Sequence, residues 1–144
     1  MSDPATPPTM AIVLAAGTSD RLLPFATLVS GAVAMGYEVH VFASYWGLDA
    51  LRRSRPAEAH PPVSPGHGAE GAALERTLVD RHVPGWRQIL GAAKRVGPVH
   101  VYACSQSMDV LGLRREHLDD LVDEVVGIAT FVDRTRGASA TYFV

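Results

Sequence analysis

Two apolar segments joined by one helix constrain this chain most. Met10 to Ala16 (MAIVLAA) is a continuous apolar run of strand length, stopped by Gly17. Unbroken rather than alternating apolarity suits a central strand covered on both faces. Thr18-Ser19-Asp20 supplies helix-capping oxygens, Pro24 falls near the start of the helix that follows, and Gly36 closes it after Met35. Tyr37 to Ser44 (YEVHVFAS) then alternates, with Tyr37, Val39, Val41 and Ala43 on one side and Glu38, His40 and Phe42 on the other. Strand, helix and strand within so short a span make a βαβ unit, whose strands are parallel and whose crossover is right-handed.

The rest of the chain repeats the alternation. Trp46 to Arg53 predicts a short helix, and a loop rich in proline, glycine and histidine follows over about 54–70. Helices are expected from about Ala69 to His82 and from Trp86 to Val96, broken by Pro84-Gly85. Val99 to Ala103 predicts a third strand ending at Cys104, with a short helix from Ser105 to Leu111 closed by Gly112. A turn or two at Arg115 to Leu121, a strand around Glu124 to Val126, a helix from Ile128 to Thr135 and a last strand from Ser139 to Val144 complete the reading. The fold class is therefore α/β: one domain over 10–144, three layers, a mainly parallel sheet of about five strands, preceded by a disordered tail over 1–9. The first helix is apolar nearly all round (Leu22, Leu23, Phe25, Leu28, Val29, Val33, Met35), so its second face is expected to be buried against another subunit.

Composition narrows the function. A charged fraction of 19% and a net charge of −2 give no electrostatic reason to expect nucleic acid or an anionic membrane as partner. One cysteine excludes an intrachain disulfide and a multi-cysteine zinc site, and a reducing cytoplasm is the expected location. The opening MSDPATPPT lacks the basic start and apolar run of a secretory leader, and no apolar stretch is long enough to span a bilayer.

Cys104 is the candidate reactive residue. Reactive groups of parallel sheets sit beyond the carboxyl ends of strands. The N–H groups of a helix opening at Ser105-Gln106-Ser107-Met108 favour thiolate, the nucleophilic form of sulfur. Position alone leaves a buried structural cysteine equally open. Other motifs fail. LAAGTSDRLLP, from Leu14 to Pro24, resembles the opening of nucleotidyltransferases. It has Ser19 in place of the second glycine and Phe25 where a lysine should follow Pro24. A C-x5-R phosphatase loop is excluded by Val110. His60, His67 and His82 lack a completing acid or thiol and are expected to be flexible and exposed, so no metal is expected. His40 and His100 are expected to pack or hydrogen-bond on their strands. The acidic run from Glu116 to Glu124 is expected to be a solvated face.

The segment VHVYACSQSMDVLGLRREHLDDLVDEVVGIATFVD, with its strand ending in A-C followed by S-M-D-V-L-G-L, resembles the DsrE/DsrF-like family, especially its DsrE2-type branch, often called peroxiredoxin-like. The front half, with VHVFASYWGLDALRR, fits as well. The resemblance implies a flavodoxin-like subunit that forms homo-trimers or homo-hexamers. Its cysteine, here Cys104, carries sulfane sulfur as a persulfide between partner proteins or small donors, with no cofactor. It also implies that Ser107, Met108 and Gly112 shape the thiol loop and that Trp46 and Gly47 lie near the same sheet end. Ser105 and Ser107 can add hydrogen bonds that cap the helix or reach the sulfur, and Gly17 and Thr18 join Trp46 and Gly47 as pocket candidates. A non-catalytic binding or regulatory module and a peroxide-reducing thiol enzyme are the alternatives.

Overall fold

A computed structural model describes residues 5–57 and 59–144. In chain order the elements are β1 (Thr9–Leu14), α1 (Ser19–Ala34), β2 (Glu38–Ala43), α2 (Tyr45–Asp49), α3 (Gly68–Asp80), α4 (Trp86–Val96), β3 (Val99–Cys104), α5 (Ser105–Leu111), a 3-10 turn (Arg115–His117), β4 (Glu124–Val126), α6 (Ile128–Arg134) and β5 (Ala140–Phe143). The first four residues of the expected tail, and Glu58 of the long loop, lie outside the described residues. Thr9, placed in the tail on sequence grounds, opens β1.

All strands pair in parallel, in the order β4-β3-β2-β1-β5. The first three crossovers step the same way across the sheet, so right-handedness puts their helices on one face. The return from β4 to β5 runs the other way, and α6 lies on the opposite face. This is the expected three-layer α/β arrangement, with two cores of unequal size. On the first face Ile12, Leu14, Val39, Val41 and Val101 are fully buried under α1, α4 and α5. Each such side chain contributes about 1.5–3 kcal/mol of burial free energy. On the second face α6 contributes Phe131 to a small cluster with Ala11, Phe42, Tyr102, Cys104 and Val126.

The apolar first helix keeps part of its surface open. Leu22, Phe25, Ala26, Val29 and Ala32, at helical spacing, face the core, whereas Leu23 and Leu28 are half-buried and Met35 is 77% exposed. Leu23, Leu28 and Met35, with Met10, Tyr37, Ala140 and Tyr142, line an apolar groove between α1 and the edge strand β5. No helix among the described residues is long and apolar enough to cross a membrane.

Candidate functional site

Alternation along β3 sends Val99, Val101 and Ala103 into the larger core and turns Cys104 to the second face, beside Val126 of β4 in register. Its side chain caps α5, with the Ser107 N–H donating to Cys104 Sγ at 3.4 Å. The thiol is largely covered, at 6% exposure. The chain leaves β3 toward α5 on one face and leaves β4 toward α6 on the other. Adjacent strands whose outgoing connections part in this way open a crevice at their carboxyl ends, where α/β proteins bind ligands. Cys104 stands at that divergence. Gly127, the residue after β4, has no side chain to fill it; a Cβ there would have only Ser105 Oγ near it, at 3.9 Å.

The residues expected to shape the thiol loop have separate roles. Ser105 is exposed. Gly112 ends α5 in the left-handed region, at φ 64°, which a side chain would strain. Met108 packs in the larger core, across the sheet from the thiol. Ser107 gives its N–H to the sulfur, but its buried hydroxyl accepts the Tyr45 N–H at 3.0 Å. That bond ties α2 to α5 and holds Tyr45 at φ 43°, unusual for a residue with a side chain.

Gly17, Thr18 and Trp46 meet, lining a cavity of about 600 Å3 over the ends of β1 and β2. Gly47 does not join them. It is buried against β1, and a Cβ there would lie 2.2 Å from the Leu14 carbonyl oxygen. Cys104 is not among the lining residues, so thiol and cavity are separate features. The proline-rich loop, with Pro61, Pro62 and Ser64, closes the cavity rather than the thiol. Its anchors are on the start of α1. Ser19 N–H donates to the Pro62 carbonyl at 3.1 Å, its hydroxyl donates to Pro61, and Asp20 accepts the Ser64 amide and hydroxyl at 2.7 Å each.

Burial alone would raise the Asp20 pKa. The bonds from Ser64, with those from Thr18 and its own amide, outweigh burial and hold it at about 2, against an ordinary 3.8. An acid depressed in the fold stabilises its anchorage above pH 3.8 and loses that contribution as pH falls through about 2. Replacing Ser64 with Ala is expected to move the Asp20 titration, followed by carboxyl-carbon NMR, back toward 3.8. Titration of the parent at that ordinary value would show that the loop is not anchored there.

Two expectations change. His60 is half-buried, with Nε2 bonded to the Val83 carbonyl at 2.9 Å, rather than flexible and exposed. His67 and His82 are exposed, as expected. The acidic run is not merely a solvated face, because its members pair with other elements. Asp119 pairs with the buried Arg87, Asp120 with Arg53, Asp123 with Lys94, and Glu124 with Arg134. His40 and His100 hydrogen-bond on their strands, as expected, but to partners that bring Glu38 and Tyr102 into one cluster. Burial, with the charge of His100, holds His40 below its ordinary pKa despite Glu38.

Sequence and structure comparisons agree with this architecture. The model of the DsrE/DsrF/DrsH-like family matches residues 6–65. The chain is 27% identical to the uncharacterized protein YrkE of Bacillus subtilis, over 92% of this chain and 94% of that one. It is 39% identical to the sulfur carrier protein DsrE2 of Allochromatium vinosum over 57 residues, 40% of this chain and 36% of that protein. Among solved structures, the E. coli protein YchN superposes with a TM-score of 0.62 at 18% identity, over 95% of this chain and 99% of that one. MTH1491 of Methanobacterium thermoautotrophicum, a protein of unknown function, does so with a TM-score of 0.60 at 18% identity, over 93% and 97%.

Proposed function

We propose that this chain, a relative of the DsrE/DsrF-like family, carries sulfane sulfur as a persulfide on Cys104 between partner thiols. The observation that carries this reading is the position of the chain's one cysteine, at the end of β3 where the connections of β3 and β4 part. The match of part of the chain to a sulfur carrier protein supports it.

In the proposed cycle the Cys104 thiolate attacks the outer sulfur of a donor persulfide. A sulfur–sulfur bond forms at Cys104, and the donor leaves as its thiolate. An acceptor thiolate then attacks the outer sulfur of the Cys104 persulfide, and Cys104 leaves as thiolate. One sulfur atom moves and there is no net oxidation, so the cycle needs no cofactor. The hydrogen bond from the Ser107 N–H gives the sulfur a fixed donor throughout. Donor and acceptor are proteins or small sulfane-sulfur compounds, met in a reducing cytoplasm. The open groove between α1 and β5 supports assembly into homo-trimers or homo-hexamers.

Native mass spectrometry after incubation with polysulfide tests both parts. The parent is expected as three or six copies, each gaining the mass of one sulfur atom. Cys104→Ser is expected to assemble alike and gain none. A monomer would refute the assembly. A parent that gains no sulfur from polysulfide, thiosulfate or a persulfidated protein would leave the second reading, a binding or regulatory module. That reading is favoured by the cavity at Gly17, Thr18 and Trp46, which the thiol does not enter. Rapid conversion of Cys104 to sulfenic acid by peroxide would instead favour a redox enzyme, dependent on an external resolving thiol.

A further inference from the structure

On the sheet face covered only by α6, the parallel register sets His40 of β2 beside His100 of β3. Glu38, two residues before His40, projects to the same side. Its Oε1 is 2.9 Å from His100 Nε2 and 3.3 Å from His40 Nε2. One donor atom from each of the three residues lies within 4.8 Å of the others, the one such group of three found among the described residues.

We propose that Glu38, His40 and His100 form a binding site for a divalent transition cation of the zinc type, with water or a ligand completing the coordination. Two imidazoles and a carboxylate are a donor set that zinc accepts in sites with an open position. The second ring nitrogen of His40, Nδ1, is bonded to the Tyr102 hydroxyl at 2.8 Å. Outer partners of this kind orient a ligating histidine and decide which nitrogen faces the metal. Access is graded in the useful direction. The side chain of His40 is 11% exposed and anchors the inner side, while Glu38 at 33% and His100 at 40% open to solvent.

The present spacing is close to what a cation needs. Zinc bonds of about 2.0–2.2 Å set tetrahedral donors about 3.3–3.6 Å apart, and the carboxylate oxygen, 2.9 and 3.3 Å from the two ring nitrogens, is within a few tenths of an ångström of that separation. The two rings stack at 4.7 Å and 29°, and the more exposed His100 ring is the one with room to tilt. A nearby cationic group, Arg134, lies over the Tyr102 ring and is paired with Glu124, which offsets its repulsion.

The thiol is not part of this site. Cys104 lies four positions beyond His100, about 13 Å along β3. Cation binding is therefore independent of sulfur carriage.

Calorimetric titration of tag-free protein with zinc ion alone tests the assignment. The parent is expected to bind one equivalent with a dissociation constant in the micromolar range or tighter. Glu38→Gln, which keeps the side-chain shape, and His100→Ala, at a half-exposed position, are each expected to weaken binding at least tenfold. Cys104→Ser and His67→Ala are expected to bind as the parent does. Far-UV circular dichroism confirms that each variant is folded; should His100→Ala unfold, Glu38→Gln decides alone. A parent that binds no zinc would overturn the site. So would binding that survives Glu38→Gln, or binding lost on removing Cys104 or His67.

Discussion

Replacing Gly47 with Ala is expected to cost about 3 kcal/mol, at the upper end of overpacking penalties, and to lower the melting midpoint by about 10 °C. The added Cβ would meet the Leu14 carbonyl oxygen at 2.2 Å and its carbon at 2.7 Å. These are backbone atoms of a central strand. The same oxygen already accepts the Ser44 N–H at 2.9 Å, and Ser44 leads directly into α2. Neither strand nor entry residue can give way, so α2 must retreat as a unit. It would take Trp46 from the cavity wall and strain the bond between the Tyr45 N–H and Ser107. Gly31 supplies the contrast, since a Cβ on it meets nothing within 4 Å. Gly31→Ala, inside α1, should stabilise the single subunit by roughly 0.5–1 kcal/mol through helix propensity. Urea unfolding of both variants is the measurement. Equal midpoints for Gly47→Ala and the parent would mean that α2 does not approach β1 this closely.

These contacts also show which parts of the molecule were legible in the sequence. Strands β1, β2 and β3 could be placed because their apolar runs are bounded by glycine or proline, and α5 because Cys104 and Gly112 bracket it. The site was less legible, because its relations are between residues far apart in the chain. Glu38, His40 and His100 become neighbours only through the register of β2 on β3, which sequence does not specify. A usable signal existed: both strands carry Val-His-Val, and pairing two like patterns side by side would have joined the histidines. Trp46 and Gly47 are neighbours in sequence and are expected in one pocket, but adjacent residues of a helix point in different directions, and of the two Trp46 alone lines the cavity. The resemblance puts Ser107 in the loop that shapes the thiol, but a motif does not say which of its groups faces the sulfur. Its amide donates to Cys104, while its hydroxyl goes to Tyr45, sixty-two residues away in sequence.

That division of labour makes Ser107→Ala the more searching substitution. The amide bond to Sγ is made by the backbone and survives the change. The hydroxyl is lost, and with it the acceptor for the Tyr45 N–H. Tyr45 sits at φ 43°, a conformation that costs an L-residue roughly 1–2 kcal/mol and persists only while its surroundings enforce it. Leaving its amide without the bond costs about 1–3 kcal/mol. Relaxation of the strained backbone recovers some of that, so a net loss of about 1–2 kcal/mol is expected. The loss should be local before it is global. Amide exchange at Tyr45 should accelerate about tenfold or more, while protection in β1 and β2 falls only as far as overall stability does. Ser107 is fully buried and α2 packs on α5, so the freed segment is the one carrying Trp46. Sulfur loading at Cys104 should persist in the folded variant, because neither the sulfur nor its amide donor has changed. If Ser107→Ala abolished loading while Tyr45 stayed protected, the hydroxyl would be serving the thiol directly, and the separation of cavity from thiol would have to be given up.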